Sequence, residues 1–308
     1  MAANSSLAHL IREEAARLGF SFTGIADANR MGAEARHLEE WLHRGFHAKM
    51  QYMENHFDKR TDPSKLVPGA KSVIVLLYNY FPKEKQQDPE APKLARYAYG
   101  EDYHFVLKRK LKDLLHFIRH HAGDVNGRCF VDSAPVMERD LAKRAGLGWT
   151  GKNTLLIHPK AGSYFFLAEL ILDLELPAGQ PMKDYCGTCR RCIEACPTAA
   201  ISPDGYLLDA SRCISYLTIE LRDETLPGEF RGKMDNWMFG CDVCQEVCPW
   251  NRFASLHSEP AFVPQPELMT MKKREWKELT RDVFQKLFKK SAVKRTKFEG
   301  LKRNIDFL

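Results

Sequence analysis

The sequence has 308 residues, enough for two packed domains, and its 44% hydrophobic and 28% charged content is typical of folded globular proteins. This composition excludes a disordered, collagen-like or mucin-like chain. The longest apolar stretches, residues 73–80 and 164–172, are far shorter than the roughly 20 residues that a membrane-spanning helix needs. The first 20 residues carry charges of both signs and do not resemble a secretory signal. We therefore expect a cytoplasmic protein that does not bind a membrane.

The net charge of +6 is concentrated near the end of the chain. Residues 272–308 contain 13 Lys or Arg and 5 Asp or Glu, a local charge of +8, so the remaining chain carries about −2. A density this high is found on solvated helical faces and on surfaces that bind polyanions, and we favour a nucleic acid partner. The candidate phosphate contacts are Lys289, Lys290, Lys294 and Arg295.

Predicted helices and strands alternate through the first 176 residues. Apolar residues at helical spacing predict the helices, and runs rich in β-branched residues predict the strands. In chain order they are helix 5–18, strand 20–26, helix 33–43, strand 72–80, helix 105–121, strand 128–131, helix 136–145 and strand 163–174. The uninterrupted apolar run at 72–80 predicts a central strand covered on both faces. This order favours an α/β or α+β domain with helices packed against one sheet.

A change in composition after residue 176 predicts the domain boundaries. Pro177-Ala-Gly-Gln-Pro181 is typical of a linker, and beyond it cysteine spacing replaces hydrophobic periodicity. We divide the chain into an N-terminal domain at 1–176, a ferredoxin-type domain at 177–262 and a basic helical tail at 263–308.

Eight of the nine cysteines lie in two runs that match the bacterial ferredoxin pattern. The first run is Cys-x2-Cys-x2-Cys-x3-Cys-Pro at 186–197, and the second repeats it at 213–249 with its first cysteine displaced. In such pairs of runs the fourth cysteine binds the cluster of the other run. The first predicted 4Fe-4S cluster takes Cys186, Cys189, Cys192 and Cys248. The second takes Cys196, Cys213, Cys241 and Cys244.

Two alternatives accompany the cysteine prediction. Pairs of Cys-x2-Cys could form structural zinc sites, although the triple spacing and both Cys-Pro endings favour iron–sulfur clusters. The ninth cysteine, Cys129, is predicted to be a small buried thiol on a strand. A pair of clusters supports electron transfer in one-electron steps, so we expect the N-terminal domain to hold the electron acceptor.

Polar clusters between the predicted strands and helices supply candidate functional residues of the N-terminal domain. None is a Walker A loop or a Gly-x-Gly-x-x-Gly fingerprint, so neither ATP nor a Rossmann-bound nucleotide is indicated. Asp132 follows the strand at 128–131 and precedes a predicted helix. There it could be a partly desolvated proton donor with a raised pKa, or an N-cap of that helix. The sequence does not decide between these two roles.

The order of the motifs resembles the epoxyqueuosine reductase family over roughly residues 5–305. These motifs are Asp-Lys-Arg-x-Asp-Pro at 58–63, Arg-Tyr-Ala-x-Gly-x-Asp-Tyr-His at 96–104, Val-Asp-Ser-Ala-Pro at 131–135, Gly-Trp-x-Gly-Lys-Asn at 148–153, the double ferredoxin run, and Cys-Ile-Ser-Tyr-Leu-Thr-Ile-Glu at 213–220. The resemblance implies a cobalamin-dependent enzyme that reduces epoxyqueuosine to queuosine in the anticodon stem-loop of tRNA. It implies electrons from an external one-electron donor, passed through two 4Fe-4S clusters to cobalamin. We further expect a monomer.

The resemblance also implies roles for individual residues. The family's proton donor corresponds to Asp132 in this sequence. Residues of the cobalamin pocket, also including Asp132, are expected to be Arg60, Arg96, Lys152, Asn153 and Ser215. His104 lies in a near-match to Asp-x-His-x-x-Gly, but Leu107 occupies the glycine position, so we interpret His104 as a pocket or core histidine and not as a cobalt ligand.

One departure and two alternative functions remain. Members of the family usually continue into a helical-repeat domain, whereas this sequence stops at Leu308, so we expect the basic tail to carry more of the tRNA binding. The alternatives are a reductive-dehalogenase-like cobalamin enzyme, which the basic tail disfavours, and a ferredoxin-type electron carrier whose N-terminal domain only docks a partner.

Overall fold

The computed structural model describes residues 2–308, with side chains from residue 4 onward. Its N-terminal part alternates helices and strands, as the sequence predicts. The elements are α1 (Ala2–Arg17), β1 (Phe22–Asp27), α2 (Gly32–His43), α3 (Phe57–Arg60), β2 (Ser72–Asn79), β3 (Lys93–Leu94), α4 (Tyr103–Ala122), β4 (Gly127–Phe130), α5 (Glu138–Arg144), β5 (Trp149–Thr150), β6 (Leu156–Ile157) and β7 (Phe165–Leu172). The predicted helix at 136–145 begins only at Glu138, a difference that matters for Asp132.

Four strands form the main sheet in the order β1-β2-β7-β4, and each pair of neighbours is antiparallel. Side chains of β2 alternate between two hydrophobic cores. Ile74 and Leu76 face α1 and α4, whereas Val73 and Val75 face α5. Seven of its eight residues are buried, which confirms the predicted central strand covered on both faces.

The C-terminal part folds into short helices and one short strand. The elements are α6 (Arg191–Ala195), β8 (Trp237–Phe239), α7 (Val243–Glu246), α8 (Pro266–Thr270), α9 (Lys273–Lys277), α10 (Arg281–Leu287) and α11 (Lys297–Phe307). We call the predicted basic tail, residues 263–308, the basic segment. Its residues Trp276, Phe288 and Leu301 are buried in a core shared with Leu94 and Phe239. The predicted basic tail is therefore helical, as expected, and is packed as an integral part of the protein.

The parts of the chain on either side of residue 176 are joined by hydrogen bonds and by packing. β3 pairs in parallel with β8 across the predicted boundary. Trp41 packs against the same hydrophobic core as Cys213 and Cys241, and its indole N–H donates to the carbonyl of Leu208 at 2.7 Å. The predicted class, a mixed α/β N-terminal domain followed by a ferredoxin-type domain and a helical segment, is confirmed, while the boundaries at 176/177 and 262/263 stay predictions.

Among residues 2–308, no helix combines the length and apolarity needed to cross a membrane.

Asn304 of α11 provides a test of how firmly the C-terminal segment is attached. Its buried amide donates to the carbonyls of Thr218 and Met238, both at 2.9 Å. Because Asn304→Ala leaves both buried acceptors without this donor, we expect the free energy of unfolding to fall by about 1–3 kcal/mol. Urea denaturation measures this loss. The exposed Arg274→Ala on α9 is the control, and an equal effect of both variants would contradict the prediction.

Candidate functional site

The eight cysteines of the two ferredoxin runs form two spatial groups. In the first cysteine group, the thiols of Cys186, Cys189 and Cys248 act electrostatically on Cys192. All four members line one small cavity with an empty volume of about 330 Å³. In the second cysteine group, Cys196 and Cys213 act on Cys241, and Cys213 and Cys241 act on Cys244. The structure thus brings together the same two sets of four that the crossover rule predicts.

Local backbone geometry accounts for the crossover. α6 carries Cys192 and is followed directly by Cys196. Cys248 follows shortly after the end of α7. Pro197 and Pro249 follow these two cysteines and disfavour a helical conformation for the residue before them. Cys196 and Cys248 are accordingly extended, with ψ values of 111° and 120°. Each Cys-Pro pair therefore ends a helical turn and directs its cysteine to the other group.

The environment of the thiols fits iron–sulfur clusters. The indole N–H of Trp149 donates to Cys186 Sγ at 3.4 Å, and the Ala200 N–H donates to Cys196 Sγ at 3.3 Å, as hydrogen bonds to cluster sulfurs do. Over the described residues 2–308, no three Cys, His, Asp or Glu side chains converge closely enough to hold a single metal ion.

Three of the predicted cofactor residues lie beside the cysteine groups. Lys152 Nζ donates to the carbonyls of Gly187 and Cys189 at 2.6 and 3.0 Å. The buried Asn153 donates to the carbonyl of Cys244 at 3.4 Å. Burial raises the pKa of the Cys213 thiol. A hydrogen bond with the Ser215 side chain offsets part of that rise. These contacts indicate that Lys152, Asn153 and Ser215 support the loops that carry the cysteines.

Arg96 is also occupied by protein partners. Its Nη1 lies 3.1 Å from Asp242 Oδ2 and 2.7 Å from Glu246 Oε1, and the guanidinium lies over the rings of Phe81 and Tyr164. Its backbone N–H also donates to Asp242. Because both carboxylates already neutralise this guanidinium, the predicted contact of Arg96 with cobalamin has no support in its geometry.

The groups around Asp132 come from α3, α4 and the basic segment, and we call this region the Asp132 cleft. The charge on Asp132 acts on Tyr52 and Tyr97, and Arg295 in turn acts on Asp132. The Asp132 side chain keeps half of its surface accessible. Its backbone has φ of +55°, and the nearest helix, α5, takes Met137 as its N-cap. The N-cap alternative for Asp132 is therefore wrong.

Two neighbours on α4 hold the Asp132 carboxylate. The Tyr103 hydroxyl donates to Oδ2, and His104 Nε2 lies 3.2 Å from the same oxygen. Burial alone would raise the pKa of Asp132, but the hydrogen bonds from His104 and Tyr103 hold it below its usual value. The raised pKa expected from the sequence is therefore a wrong prediction. The cause is a hydrogen-bonding environment that favours the carboxylate form.

His104 holds the proton of this group. Its Nδ1 lies 2.6 Å from Asp102 Oδ1, and its Nε2 faces Asp132. Burial alone would lower the pKa of His104, but the hydrogen bonds with Asp102 and Asp132 raise it to about 9. At neutral pH His104 is therefore a cation that lies between the carboxyl groups of Asp102 and Asp132. His104 is a pocket histidine, one of the two placements that the sequence predicts.

Arg60 borders the Asp132 cleft and gives it a free donor. Its Nη2 donates to the carbonyl of Tyr52 at 2.9 Å, whereas its buried Nε–H has no hydrogen-bond partner in the protein. A buried donor without a partner is costly unless a ligand satisfies it. The carbonyl and phosphate oxygens of cobalamin are suitable acceptors, so the cleft fits this cofactor at Arg60.

The cleft contains functional candidates that sequence analysis missed. Tyr103 and Glu138 contact Asp132 directly, and Arg295 pairs with Glu220 at 2.8 Å on the cleft wall. Tyr103 belongs to the motif at residues 96–104, but nothing in the sequence distinguishes it from the other residues of that motif. Arg295 was predicted only as a phosphate contact of the tail.

Tyr97 connects the Asp132 cleft to the second cysteine group. It packs among the residues that surround Cys213 and Cys241 and makes an edge-to-face contact with Tyr103, with ring centroids 6.1 Å apart. The second cysteine group is therefore the one that adjoins the cleft. The first borders a wide surface depression lined by Gly187, Arg190 and Arg191.

Comparisons with known proteins agree with this layout. The family model described as epoxyqueuosine reductase QueG, DUF1730 matches residues 60–133, and the 4Fe-4S double cluster binding domain matches residues 185–251. The epoxyqueuosine reductase of Leadbetterella byssophila is 59% identical to the chain, over 97% of the chain and 97% of its own length. The epoxyqueuosine reductase of Cyclobacterium marinum is 56% identical, over 97% of the chain and 96% of its own length. The Escherichia coli epoxyqueuosine reductase is 41% identical over 98% of the chain and 80% of its own length.

Solved structures give the same result. Epoxyqueuosine reductase with an epoxyqueuosine-modified tRNA-Tyr stem loop superimposes with a TM-score of 0.89 at 31% identity, over 98% of this chain and 80% of that one. The Bacillus subtilis enzyme, solved with its catalytic loop swung out of the active site, gives 0.88 at 30% identity, with the same two coverages. A catabolic reductive dehalogenase gives 0.52 at 16% identity over 98% of this chain and 38% of that one, which shows a shared fold alone.

The grouping of the cysteines leads to a prediction on metal content. We expect about eight iron atoms per chain after anaerobic reconstitution, because two sets of four thiols are present. Cys248→Ala should lose the first cluster and Cys196→Ala the second, each leaving about four irons. Iron assay with Mössbauer spectroscopy measures both.

Cys129→Ala is the matched control for the iron assay. Cys129 lies partly buried on β4, where burial raises the pKa of its thiol to about 11. Its replacement by alanine should leave the iron content unchanged. Four or fewer irons in the unmodified protein, or bound zinc, would contradict the assignment.

Proposed function

The chain belongs to the epoxyqueuosine reductase family, and from this membership we propose that it reduces epoxyqueuosine to queuosine in the anticodon loop of tRNA. Two electrons and two protons remove the epoxide oxygen as water and leave a carbon–carbon double bond. The cofactors are two 4Fe-4S clusters and cobalamin. The observation that carries the proposal is the Asp132 carboxylate, held by Tyr103 and His104 in a cleft that adjoins the second cysteine group.

The protein's own residues divide the work between electrons and protons. The two cysteine groups would hold the clusters, which supply electrons one at a time. Arg60 would hold cobalamin in the Asp132 cleft, where the reduced cofactor supplies the centre that cleaves the carbon–oxygen bond. Lys152, Asn153 and Ser215 orient the cysteine loops through their hydrogen bonds, which leaves Arg60 as our principal cofactor contact.

Asp132 delivers the proton and His104 supplies it. In the substrate-free cleft the proton resides on His104, hydrogen-bonded to Asp132 Oδ2. A bound substrate displaces water from the half-exposed carboxylate, and loss of solvation raises the pKa of an acid. The first proton then passes from Nε2 of His104 to Asp132 and on to the departing oxygen, and the second, which releases that oxygen as water, comes from solvent. The Tyr103 hydroxyl keeps the carboxylate oriented during the transfer.

Electrons enter from an external one-electron donor at the first cysteine group. Cys186 and Cys189 border the depression that contains Arg190 and Arg191, whereas the second group adjoins the cleft. The sequence contains no flavin or nicotinamide motif that could serve as an internal donor. We also propose a cytoplasmic location, where cysteines stay reduced, and a monomeric state.

The basic segment borders the Asp132 cleft and supports tRNA binding there. The Asp102 N–H donates to the carbonyl of Lys290 at 2.7 Å, and Lys290 Nζ lies 3.2 Å from Glu101. Lys289 and Lys294 are exposed on the same stretch. Their charges therefore lie next to the loop that leads to His104. Phosphates flanking an inserted base would meet these lysines.

Asp132→Asn tests the proton donor. The amide keeps the shape of the side chain but carries no acidic proton, so we expect epoxide reduction to fall by a factor on the order of 100 or more. The variant should still fold, load iron and retain cobalamin after desalting. The conversion of epoxyqueuosine-containing tRNA, quantified by mass spectrometry of nucleosides, gives the rate.

Asp113→Asn, an exposed change on α4, is the matched control for this experiment. Full activity is expected of it. If Asp132→Asn stays within a few-fold of the unmodified enzyme, Asp132 is not the proton donor.

Replacing Lys289, Lys290 and Lys294 together by alanine tests the tRNA surface. Binding should weaken, and the slope of log Kd against log salt should decrease by about 2, because three phosphate contacts are lost. The matched control removes the same charge from α9, at Lys273, Arg274 and Lys277. Equal slopes for both triple variants would refute a specific role for the lysines beside the cleft.

A further inference from the structure

A fully buried carboxyl group, Glu169, lies directly behind the Asp132 loop. Glu169 is 0% exposed and points from β7 toward the core beneath α5. Its neighbours on the adjoining strands are Val75 of β2 and Phe130 of β4. Within the described residues, no N–H or O–H group of the protein donates to either carboxylate oxygen. Such isolation is costly for a charged group, so a specific partner is needed.

That partner is the carboxyl group of Glu138 at the start of α5. The two side chains are within hydrogen-bonding reach of each other. Two carboxyl groups can form a hydrogen bond only if one of them is protonated. Burial and the nearby Glu138 both raise the pKa of Glu169 well above its ordinary value. Because the Asp132 N–H donates to Glu138 while no N–H or O–H of the described residues reaches Glu169, the geometry places the shared proton on Glu169.

Glu138 in turn holds the backbone of Asp132. The Asp132 N–H donates to Glu138 Oε1 at 2.5 Å. With φ of +55°, Asp132 adopts a left-handed conformation that costs a non-glycine residue on the order of 1 kcal/mol. A charge-assisted hydrogen bond of about 1.5–3 kcal/mol is sufficient to offset that strain. The left-handed turn directs the Asp132 side chain toward Tyr103 and His104.

We propose that Glu138 and Glu169 form a carboxyl pair sharing one proton that latches the Asp132 loop in its catalytic position. Both act as positioning residues, because neither touches the reacting atoms. The inference rests on the proposed role of Asp132 as proton donor. The latch adds to that role a reason why the loop keeps this position despite its strained backbone.

The charged groups facing the pair are few. Asp132 faces it from the loop, Arg139 from α5 and Arg60 from α3, while β2 presents apolar side chains. On β4, Arg128 shares the face of Phe130, with its guanidinium over that ring and its Nη1 donating to the carbonyl of Leu66 at 2.9 Å. Burial and the charge of Asp132 raise the pKa of Glu138 to about 7. In the folded protein the pair therefore binds more protons than in the unfolded chain above about pH 4.5. The free energy of unfolding should accordingly decrease as pH rises from there through about 7.

Four variants separate the latch from a purely structural role. Glu138→Gln keeps an acceptor for the Asp132 N–H, and Glu169→Gln keeps a permanent donor to Glu138. Glu138→Ala removes the acceptor, and Glu169→Leu removes the donor without adding a buried polar group. We expect the two glutamine variants to retain the loop position. The other two should populate an open loop and lower kcat about tenfold or more, with KM little changed, as the competent fraction falls.

Two readouts do not depend on turnover. Crystal structures of Glu138→Ala and Glu138→Gln report where the Asp132 loop lies, and infrared difference spectra of the apo-protein report a protonated carboxyl group that Glu169→Gln should abolish. An unchanged loop in Glu138→Ala, or no such band at neutral pH, would overturn the proposal. If Asp132→Asn proves active while these readouts behave as expected, the proton-donor role fails and the latch stands.

Discussion

The buried ion pair between Arg96 and Asp242 is the interaction on which the arrangement of the two halves depends. Asp242 is 2% exposed, and burial raises its pKa to about 6 even though Arg96 donates to it from both its guanidinium and its backbone N–H. Tyr97 follows Arg96 on the wall of the Asp132 cleft, and Cys241 precedes Asp242 in the second cysteine group. The pair thus fixes the cleft against the cysteines. Loss of Arg96 would leave the buried Asp242 carboxyl group without its cation, which is strongly destabilising.

An aromatic layer separates proton handling from electron transfer. Tyr103 stacks on Phe166 with ring centroids 4.1 Å apart, and Tyr97 meets both rings edge to face. His104 stacks on Tyr103, with ring centroids 4.2 Å apart, and Tyr97, Cys213 and Cys241 pack against one hydrophobic core. Low polarity of this layer strengthens the electrostatic interactions within the Asp102–His104–Asp132 chain.

The sequence predicted those features that depend on local spacing. The Cys-Pro endings determine where two helical turns stop, so the pairing of Cys196 and Cys248 with distant groups could be anticipated. The burial of β2 followed from its apolar run. By contrast, the cap role considered for Asp132 required a helix starting directly after it. The chain instead makes a left-handed turn at 132, and α5 begins six residues later, at Glu138.

Contacts between distant segments could not be predicted from spacing. Lys152 and Asn153 stand in a family motif, yet only the fold shows that they contact carbonyls of the cysteine loops. In the sequence, Glu169 is a single acidic residue within an otherwise apolar strand, and no other feature distinguishes it. That pattern is equally compatible with an outward-facing residue at an edge strand. Its burial follows from the position of β7 between β2 and β4, which the sequence does not encode locally.

The basic segment is best understood as one wall of the active site. Tyr216–Glu220 forms a single π-helical turn immediately after Cys213 and Ser215, an irregularity that often occurs at functional sites. The turn ends at Glu220, which pairs with Arg295 while Arg295 also acts on Asp132. A single turn therefore joins the second cysteine group, the cleft and the segment with the highest positive charge. Because Arg295 pairs with Glu220 at the end of the turn that follows Cys213, one short stretch of chain holds both the proposed tRNA surface and the second cysteine group.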